Sequence, residues 1–355
     1  MPRATTAFIN LGAISDNIAV LKTCLGATRF MGVIKADAYG HGAVPVAHHI
    51  EDLVDAFAVA FTEEALALRA AGVGKPILIL EGPHSAEDVA LAAKENLWLA
   101  LHETSQVSWC LPYGDALPQL WVKVDTGMHR LGFSPEELST VRRSLESAGC
   151  SRLTLMSHLA SAELPESRLS KNQLDRWREI VSDWPHEISL CNSAASRLGL
   201  SSQDTWARLG YAMYGGLITG LASNSTLKPA MQFQTTVMAL RQVAAGESVG
   251  YGGHWTAQRD SLIATLPVGY GDGYPWSAQN GTPVAVNGKK VPLVGRVSMD
   301  MVTIDVTDCG AVAIGTPVIL WGQNPGVDEV AEACGTIGYE LMTRMTGRAK
   351  RCYRK

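Results

Sequence analysis

The sequence predicts an α/β chain in two parts: an N-terminal (β/α)8 barrel of the TIM type over residues 1–225 and a C-terminal, mainly β domain over residues 226–355. Three observations predict it. Short continuous apolar runs recur through the first two thirds of the chain, and amphipathic stretches separate most of them. Beyond residue 225 the pattern changes to short alternating segments punctuated by Gly, Asn and Pro. Continuous apolar strands alternating with helices imply a parallel sheet covered by helices. Alternating strands bounded by turn residues imply an all-β domain.

The apolar runs are MGVIKA (31–36), AFAVAF (56–61), PILILEG (76–82), LWLALH (97–102), LWVKVD (120–125), LTLMSH (153–158), ISLCN (188–192) and ARLGYAMYG (207–215). About eight strand–helix units is the count of a closed barrel. Periodicity alone leaves an open doubly wound sheet as the rival. The clearest helix signal is Ser134-Pro135-Glu136-Glu137, an N-cap, a first-turn proline and a capping-box glutamate. Leu138, Val141 and Leu145 then repeat at helical spacing. The pattern changes near residues 221–226. The β segments that follow are MQFQTTVMALRQV, SLIATLPVGY, TPVAVNG, KKVPLVG, DMVTIDV and TPVILWG, with a helical coda from Glu329 to Met345. The first few residues stand apart from the barrel pattern and are available to pair with the β domain.

Hydrophobic content of 46% and charge of 18% over 355 residues describe an ordinary globular chain. A formal net charge of −4 gives no electrostatic reason to expect nucleic acid or an anionic membrane as partner. No apolar run is long enough to span a bilayer. The opening MPRATTAFINL lacks the apolar core and cleavage site of a signal peptide, so the expected compartment is the cytoplasm. The seven cysteines are scattered with no C-x-x-C pair and read as reduced filler. His48-His49 is the only adjacent histidine pair, and helical neighbours diverge, so no metal site is expected. Trp98, Trp121 and Trp321 fall in strand patterns and read as core. Gly269-Tyr270-Gly271-Asp272-Gly273 lacks the βαβ context of a dinucleotide loop.

The strongest local signal is Val33-Ile34-Lys35-Ala36-Asp37-Ala38-Tyr39-Gly40-His41-Gly42. A lysine at the end of an apolar strand is costly to bury unless it is paired, neutralised or covalently used. Barrel active sites lie at the C-terminal ends of the strands, where desolvation frees the amine of a Schiff-base lysine. A lysine snorkelling from the strand end is the plain alternative. Ser193 follows the seventh strand, and Gly210 and Tyr211 lie in the eighth βα region, where barrels often bind phosphate.

Seven further segments complete a pattern: K-V-D-T-G-M-H-R-L-G-F (123–133), S-H-L-A-S-A (157–162), N-S-A-A (192–195), R-L-G-Y-A-M-Y-G (208–215), V-G-Y-G-G-H-W-T-A (249–257), V-G-Y-G-D-G-Y-P (268–275) and G-R-V-S-M-D-M (295–301). In this order, after the Lys35 segment, they resemble the alanine racemase family, fold-type III enzymes that use pyridoxal 5'-phosphate. The resemblance implies interconversion of L- and D-alanine by two bases, for cell-wall supply or alanine breakdown. It implies that Lys35 holds the cofactor covalently and serves one face of the substrate, with Tyr251 as the base on the other. Tyr39, Ser193, the backbone of Gly210 and Tyr211, and Tyr339 are the implied phosphate ligands. Arg208 is implied to face the pyridine nitrogen, with His158 orienting it. As a permanent donor, a guanidinium keeps that nitrogen unprotonated, which weakens the ring as an electron sink.

The resemblance also places Arg130 beside the phenol and the substrate carboxylate, and a phenol needs such a cation to act as a base near neutrality. Its plain alternative is a surface arginine opening the next helix. Lys123 matches a lysine that some relatives carry carbamylated. Tyr251, Tyr270, Met299 and Asp300 are implied to come from a second subunit, so a homodimer with shared sites is expected. Tyr211 stands where relatives usually carry isoleucine and Trp276 where they commonly carry arginine, and residues 348–351 depart from an R-x-P-R pattern. A decarboxylase of the same fold type and a non-catalytic cofactor carrier are the competing readings.

Overall fold

The computed structural model describes residues 3–200, 203–216 and 227–355 and divides into two compact units. One contains Ser15–Met213; the other combines residues 3–14, Tyr214–Gly216 and residues 227–355. The boundary drawn from sequence at residue 225 falls outside the described residues.

In the first unit β2 (Arg29–Val33), β3 (Ala56–Val59), β4 (Ile77–Ile79), β5 (Leu97–Leu101), β6 (Leu120–Lys123), β7 (Leu153–Met156) and β8 (Glu187–Ser189) pair in parallel, each with the next. β9 (Trp206–Leu209) pairs in parallel with β2. Bonds from Thr205 N to Ile188 O at 2.9 Å and from Ser189 Oγ to the Trp206 carbonyl at 2.8 Å bring β8 to β9, so the sheet curls back on itself. This is a nearly closed barrel, and the open-sheet rival falls. Every residue of β3, β4, β5, β6, β7 and β9 is buried, as a strand covered on both faces must be.

The lower end of the barrel is plugged by aromatics. The rings of Trp98, Trp121 and Trp206 lie 5.5 to 6.2 Å apart. Glu187 accepts from Trp206 Nε1 at 2.8 Å and is ion-paired with Arg29, whose guanidinium lies 4.0 Å from the Trp206 ring. Ser134 does not cap a helix directly. Its N–H donates to Glu137 Oε2 at 2.7 Å and its carbonyl accepts from Glu137 N, closing a separate turn. The helix proper, Leu138–Ser147, starts after it and buries Leu138, Val141 and Leu145 as their spacing predicts.

The second unit carries β1 (Thr6–Asn10), β10 (Met231–Thr236), β11 (Ala239–Val243), β12 (Ser248–Val249), β13 (Trp255–Thr256), β14 (Ser261–Leu266), β15 (Pro283–Val286), β16 (Lys289–Pro292), β17 (Val302–Asp305), β18 (Pro317–Trp321) and β19 (Lys350–Arg354). A six-stranded sheet runs β16-β15-β18-β10-β1-β19, and a three-stranded one β11-β14-β17. The long run MQFQTTVMALRQV thus serves two sheets. Val237 N bonds to Thr316 O and Met238 N to Thr265 O, which marks the crossing. β1 lies between β10 and β19, antiparallel to the first and parallel to the second. Phe233 and Tyr274 pack on Trp321 in the core, at 4.7 and 6.1 Å between rings. The coda is two short helices, Val327–Ala333 and Gly338–Thr343. Among the described residues no helix is long and apolar enough to cross a membrane, and no His, Cys, Asp or Glu group could hold a metal.

Candidate active site

β2 ends at Val33, and Lys35 opens the turn after it, half-buried at the C-terminal rim of the barrel. Ala36, Asp37, Ala38 and Tyr39 all take the left-handed conformation, with φ between 50 and 54°. That turn delivers the Tyr39 ring against the end of β9. A Cβ at Gly210 would stand 2.6 Å from Tyr39 Oη, so glycine there lets the ring lie this close and any larger residue would push it away. Ser193, at the first residue of the short helix Ser193–Leu198, accepts from Gly210 N and Ala212 N, each at 3.3 Å. Its own O–H remains to donate to an anion. The N-cap of that helix is Asn192, whose side chain accepts from Ala195 N at 3.0 Å; Ser193 itself is not the cap.

Arg208 points inward from β9 and is 5% exposed. Nη1 donates to the Ser189 carbonyl at 2.9 Å and to Ser189 Oγ at 2.6 Å; Nη2 donates to the Ser157 carbonyl at 2.7 Å and faces His158 Nδ1 at 3.4 Å. Burial lowers the Arg208 pKa to about 10, with Asp204 opposing, so it stays charged at neutral pH. A guanidinium has no acceptor, so His158 Nδ1 takes the acceptor role. Burial, followed by the charges of Arg208, Lys123, Arg130 and Lys35, lowers the His158 pKa to about 3 and keeps it neutral. Those same charges locate the group: four cations bear on one imidazole.

Lys123, the last residue of β6, is buried. Burial brings its pKa down to about 8; Glu81 offsets part of this, while Arg208, Arg130 and Lys35 add to it. Arg130 sits at the end of a loop held by Asp125, whose Oδ1 accepts from the backbone N of Gly127, Met128 and His129 at 2.8 to 3.1 Å. Burial pushes the Asp125 carboxyl up, but the Gly127 and His129 hydrogen bonds outweigh it and hold it below the ordinary range. Arg130 precedes the Leu138–Ser147 helix by eight residues, so it does not open that helix.

The β unit gathers a second set. A cavity of about 470 Å³ is lined by Tyr251, Tyr270, Trp276, Arg296, Met299 and Asp300 among others. All four residues that the resemblance assigns to a second subunit thus share one hollow, with Trp276 beside them. Tyr251 is 75% exposed and Met299 52%. Arg296 lies 5.4 Å from the Trp276 ring. Asp300 accepts from Arg348 Nη2 at 2.7 Å. Tyr339 stands on the helix Gly338–Thr343 and does not line that cavity.

Four acids missed in the sequence support these groups. Asp272, fully buried within the discounted glycine-rich segment, accepts from Arg3 Nη1 at 2.9 Å and pairs with Arg348 at 3.3 Å. Asp204 accepts from Leu190 N at 2.5 Å and Cys191 N at 2.6 Å, fixing the approach to Ser193, and burial raises its pKa to about 6. Glu64 accepts from Ala36 N at 2.7 Å, next to Lys35. Glu81 lies near Lys123. None of the four left a usable signal: even Glu64, which caps the helix Thr62–Ala70, has Phe61 rather than a hydroxyl residue at the N-cap.

The comparisons with known proteins agree with this geometry. The alanine racemase N-terminal domain matches residues 9–217 and the alanine racemase C-terminal domain residues 230–353. The alanine racemase of Alteromonas mediterranea is 41% identical over 355 residues, 99% of each chain. The biosynthetic alanine racemase of Pseudomonas aeruginosa superposes with a TM-score of 0.93 at 41% identity, covering 99% of this chain and 100% of that one. That of Bartonella henselae, solved with covalently bound pyridoxal phosphate, gives 0.91 at 30% identity, covering 99% and 100%. With both domain matches spanning nearly the whole chain and the fold shared throughout, this chain belongs to the alanine racemase family.

Proposed function

We propose that the chain interconverts L- and D-alanine using pyridoxal 5'-phosphate, as a cytoplasmic homodimer in which the β-unit cavity of one subunit serves the barrel of the other. The observation that carries this reading is the buried Arg208, locked by Ser189 and Ser157 beside a neutral His158. A donor fixed in that way fits a pyridine nitrogen that must stay unprotonated. The residues fit the rest of the cofactor too. Ser193 Oγ presents a donor to phosphate, and the absent Cβ of Gly210 leaves room for Tyr39. Tyr339 joins the phosphate ligands by resemblance.

Pyridoxal phosphate held by these residues would acidify the Cα–H of an amino acid whose nitrogen has displaced the Lys35 amine from it, which leaves that amine free. Lys35 takes or returns that proton on one face and Tyr251 does so on the other, which is what makes inversion rather than exchange the outcome. Arg130 supplies positive charge toward the phenol and the substrate carboxylate. Tyr270, Met299 and Asp300 line the access side of the cavity, a hollow of about 470 Å³ with ample room for the methyl group of alanine. Because one hydroxyl is weakly discriminated by such a hollow, serine is the natural competitor. The buried Lys123, with its pKa brought down to about 8, has the neutral amine that carbamylation requires, and the resulting carboxylate would face Arg130.

The test is incubation of the holoenzyme with L-alanine in deuterium oxide. D-alanine carrying deuterium at Cα is expected, and release of carbon dioxide, or no reaction, overturns the reading. Borohydride reduction followed by peptide mapping is expected to label Lys35.

A further inference from the structure

The turn after Lys35 is built against the chirality of its residues. Ala36, Asp37 and Ala38 have φ of 50, 54 and 54° with ψ of 52, 47 and 50°, and Tyr39 follows at φ 53°. Side-chain-bearing residues visit this region singly, not in runs, and of these four only Asp37 is of a type that tolerates it. Such a stretch persists only where its surroundings over-determine it. Backbone bonds form inside it from Gly40 N to Ala36 O at 3.0 Å, from His41 N to Ala38 O at 3.1 Å and from Gly42 N to Asp37 O at 2.8 Å, and Ala38 N bonds back to Ile34 O at 2.9 Å. Two further bonds come from side-chain carboxylates: Asp37 Oδ1 accepts from Ala43 N, and Glu64 Oε1 accepts from Ala36 N, each at 2.7 Å. The other oxygen of Glu64 accepts from Ala60 N at 2.7 Å and Phe61 N at 3.3 Å. One carboxylate therefore ties the residue after Lys35 to the end of the neighbouring barrel strand and to the start of the helix Thr62–Ala70.

We infer that Glu64 is a positioning residue for Lys35: by fixing the Ala36 N–H it sets the direction in which the lysine side chain leaves the strand end. This rests on the reading that Lys35 carries the cofactor. Glutamine is the sharp probe. Its carbonyl satisfies either the Ala60–Phe61 pair or Ala36, and the pair offers two donors. With the carbonyl there, the amide nitrogen meets the Ala36 N–H donor to donor, so the helix keeps its cap while the tie to the turn is lost. Asp88 is the matched control. It caps the helix Ala86–Lys94 in the same way, accepting from His84 N at 2.8 Å and Ser85 N at 3.2 Å.

The experiment compares four holoenzymes: wild type, Glu64→Gln, Asp88→Asn and the double variant Glu64→Gln/Ala36→Gly. It reads kcat and KM, the pH at which the visible absorption of the bound cofactor titrates, and the thermal midpoint. Glu64→Gln is expected to lower kcat about tenfold with KM held within about threefold. The absorption titration is expected to move by about half a pH unit. Asp88→Asn is expected to leave kcat and the titration as in wild type. Glycine adopts the left-handed region without a Cβ clash, so Ala36→Gly is expected to restore part of kcat. If Glu64→Gln does not fold, Glu64→Asp, which keeps the charge but not the reach, is expected to show the same split. Wild-type kcat and titration in the Glu64 variant overturn the inference, as do equal losses in Asp88→Asn. Borohydride labelling of wild type away from Lys35 would instead sink the underlying reading.

Discussion

In the barrel, Arg208 is almost wholly buried and its guanidinium donates to three oxygens, while in the β unit Tyr251 is three-quarters exposed on a turn of glycines. Between those extremes lies the division of labour. Barrel groups are shaped by dehydration and mutual charge: His158 is held neutral, the Lys123 amine is loosened, and Asp204 is raised. The β-unit groups are gathered geometrically in one cavity, yet Tyr251, Trp276 and Met299 remain open to water. Exposed apolar and aromatic side chains clustered around a hollow are what a protein surface keeps for a partner. On the proposed reading, the half that would grip the cofactor is finished within one chain, and the half that would supply the second base is left open.

That contrast predicts separable losses. Tyr251→Phe is expected to lower kcat by about 10²–10⁴ while cofactor affinity stays within about twofold, by steady-state rates and cofactor titration. Loss of cofactor together with rate would break the division. Arg208→Lys is expected to act on the barrel itself, lowering stability by on the order of 3 kcal/mol because several buried acceptors lose their donor, as read by denaturant unfolding of the apoprotein.

Lys123 sharpens the electrostatic side. Its folded pKa of about 8 lies below the ordinary 10.5, so between these values the folded chain has released a proton that the unfolded chain still holds. Stability should therefore rise with pH across that window, by on the order of 3 kcal/mol, and Lys123→Met should flatten the rise. A carbamate on Lys123 does not titrate there; in that case wild type is flat with bicarbonate present and regains the slope without it. Smallest is Gly210→Ala. The added Cβ crowds the Tyr39 ring at a cost of about 1–2 kcal/mol, read as a roughly tenfold weaker Kd for pyridoxal phosphate.

How far these features were legible follows from the range of the interactions behind them. Barrel strands such as Leu97–Leu101 and Leu120–Lys123 announce themselves, because burial on both faces demands an unbroken apolar run. The Lys35 segment and the Tyr251 turn were legible through resemblance, and the structure shows why their neighbours matter. Lys350–Arg354 was not legible as a strand: a polar, basic edge strand carries little apolar signal and is defined by its partner Thr6–Asn10. The acids Asp204 and Asp272 were invisible for the same reason. The Asp272 partners, Arg3 and Arg348, are distant in sequence, and the Asp204 partners are the backbone of Leu190 and Cys191, which no side-chain pattern marks; an isolated aspartate reads as a turn residue until the fold surrounds it.

The threading of the six-stranded sheet carries a consequence for biosynthesis. Ala7 pairs with Phe233, 226 residues later, and with Arg351 on its other side. At ordinary ribosomal speeds the amino-terminal strand emerges on the order of tens of seconds before its first partner exists. The parallel strands between Arg29 and Leu209 are all translated inside that interval and can close while the chain is still growing. The nascent polypeptide should accordingly pass through a stage with a completed barrel, protected from protease, and an orphaned leading strand that protease can cut.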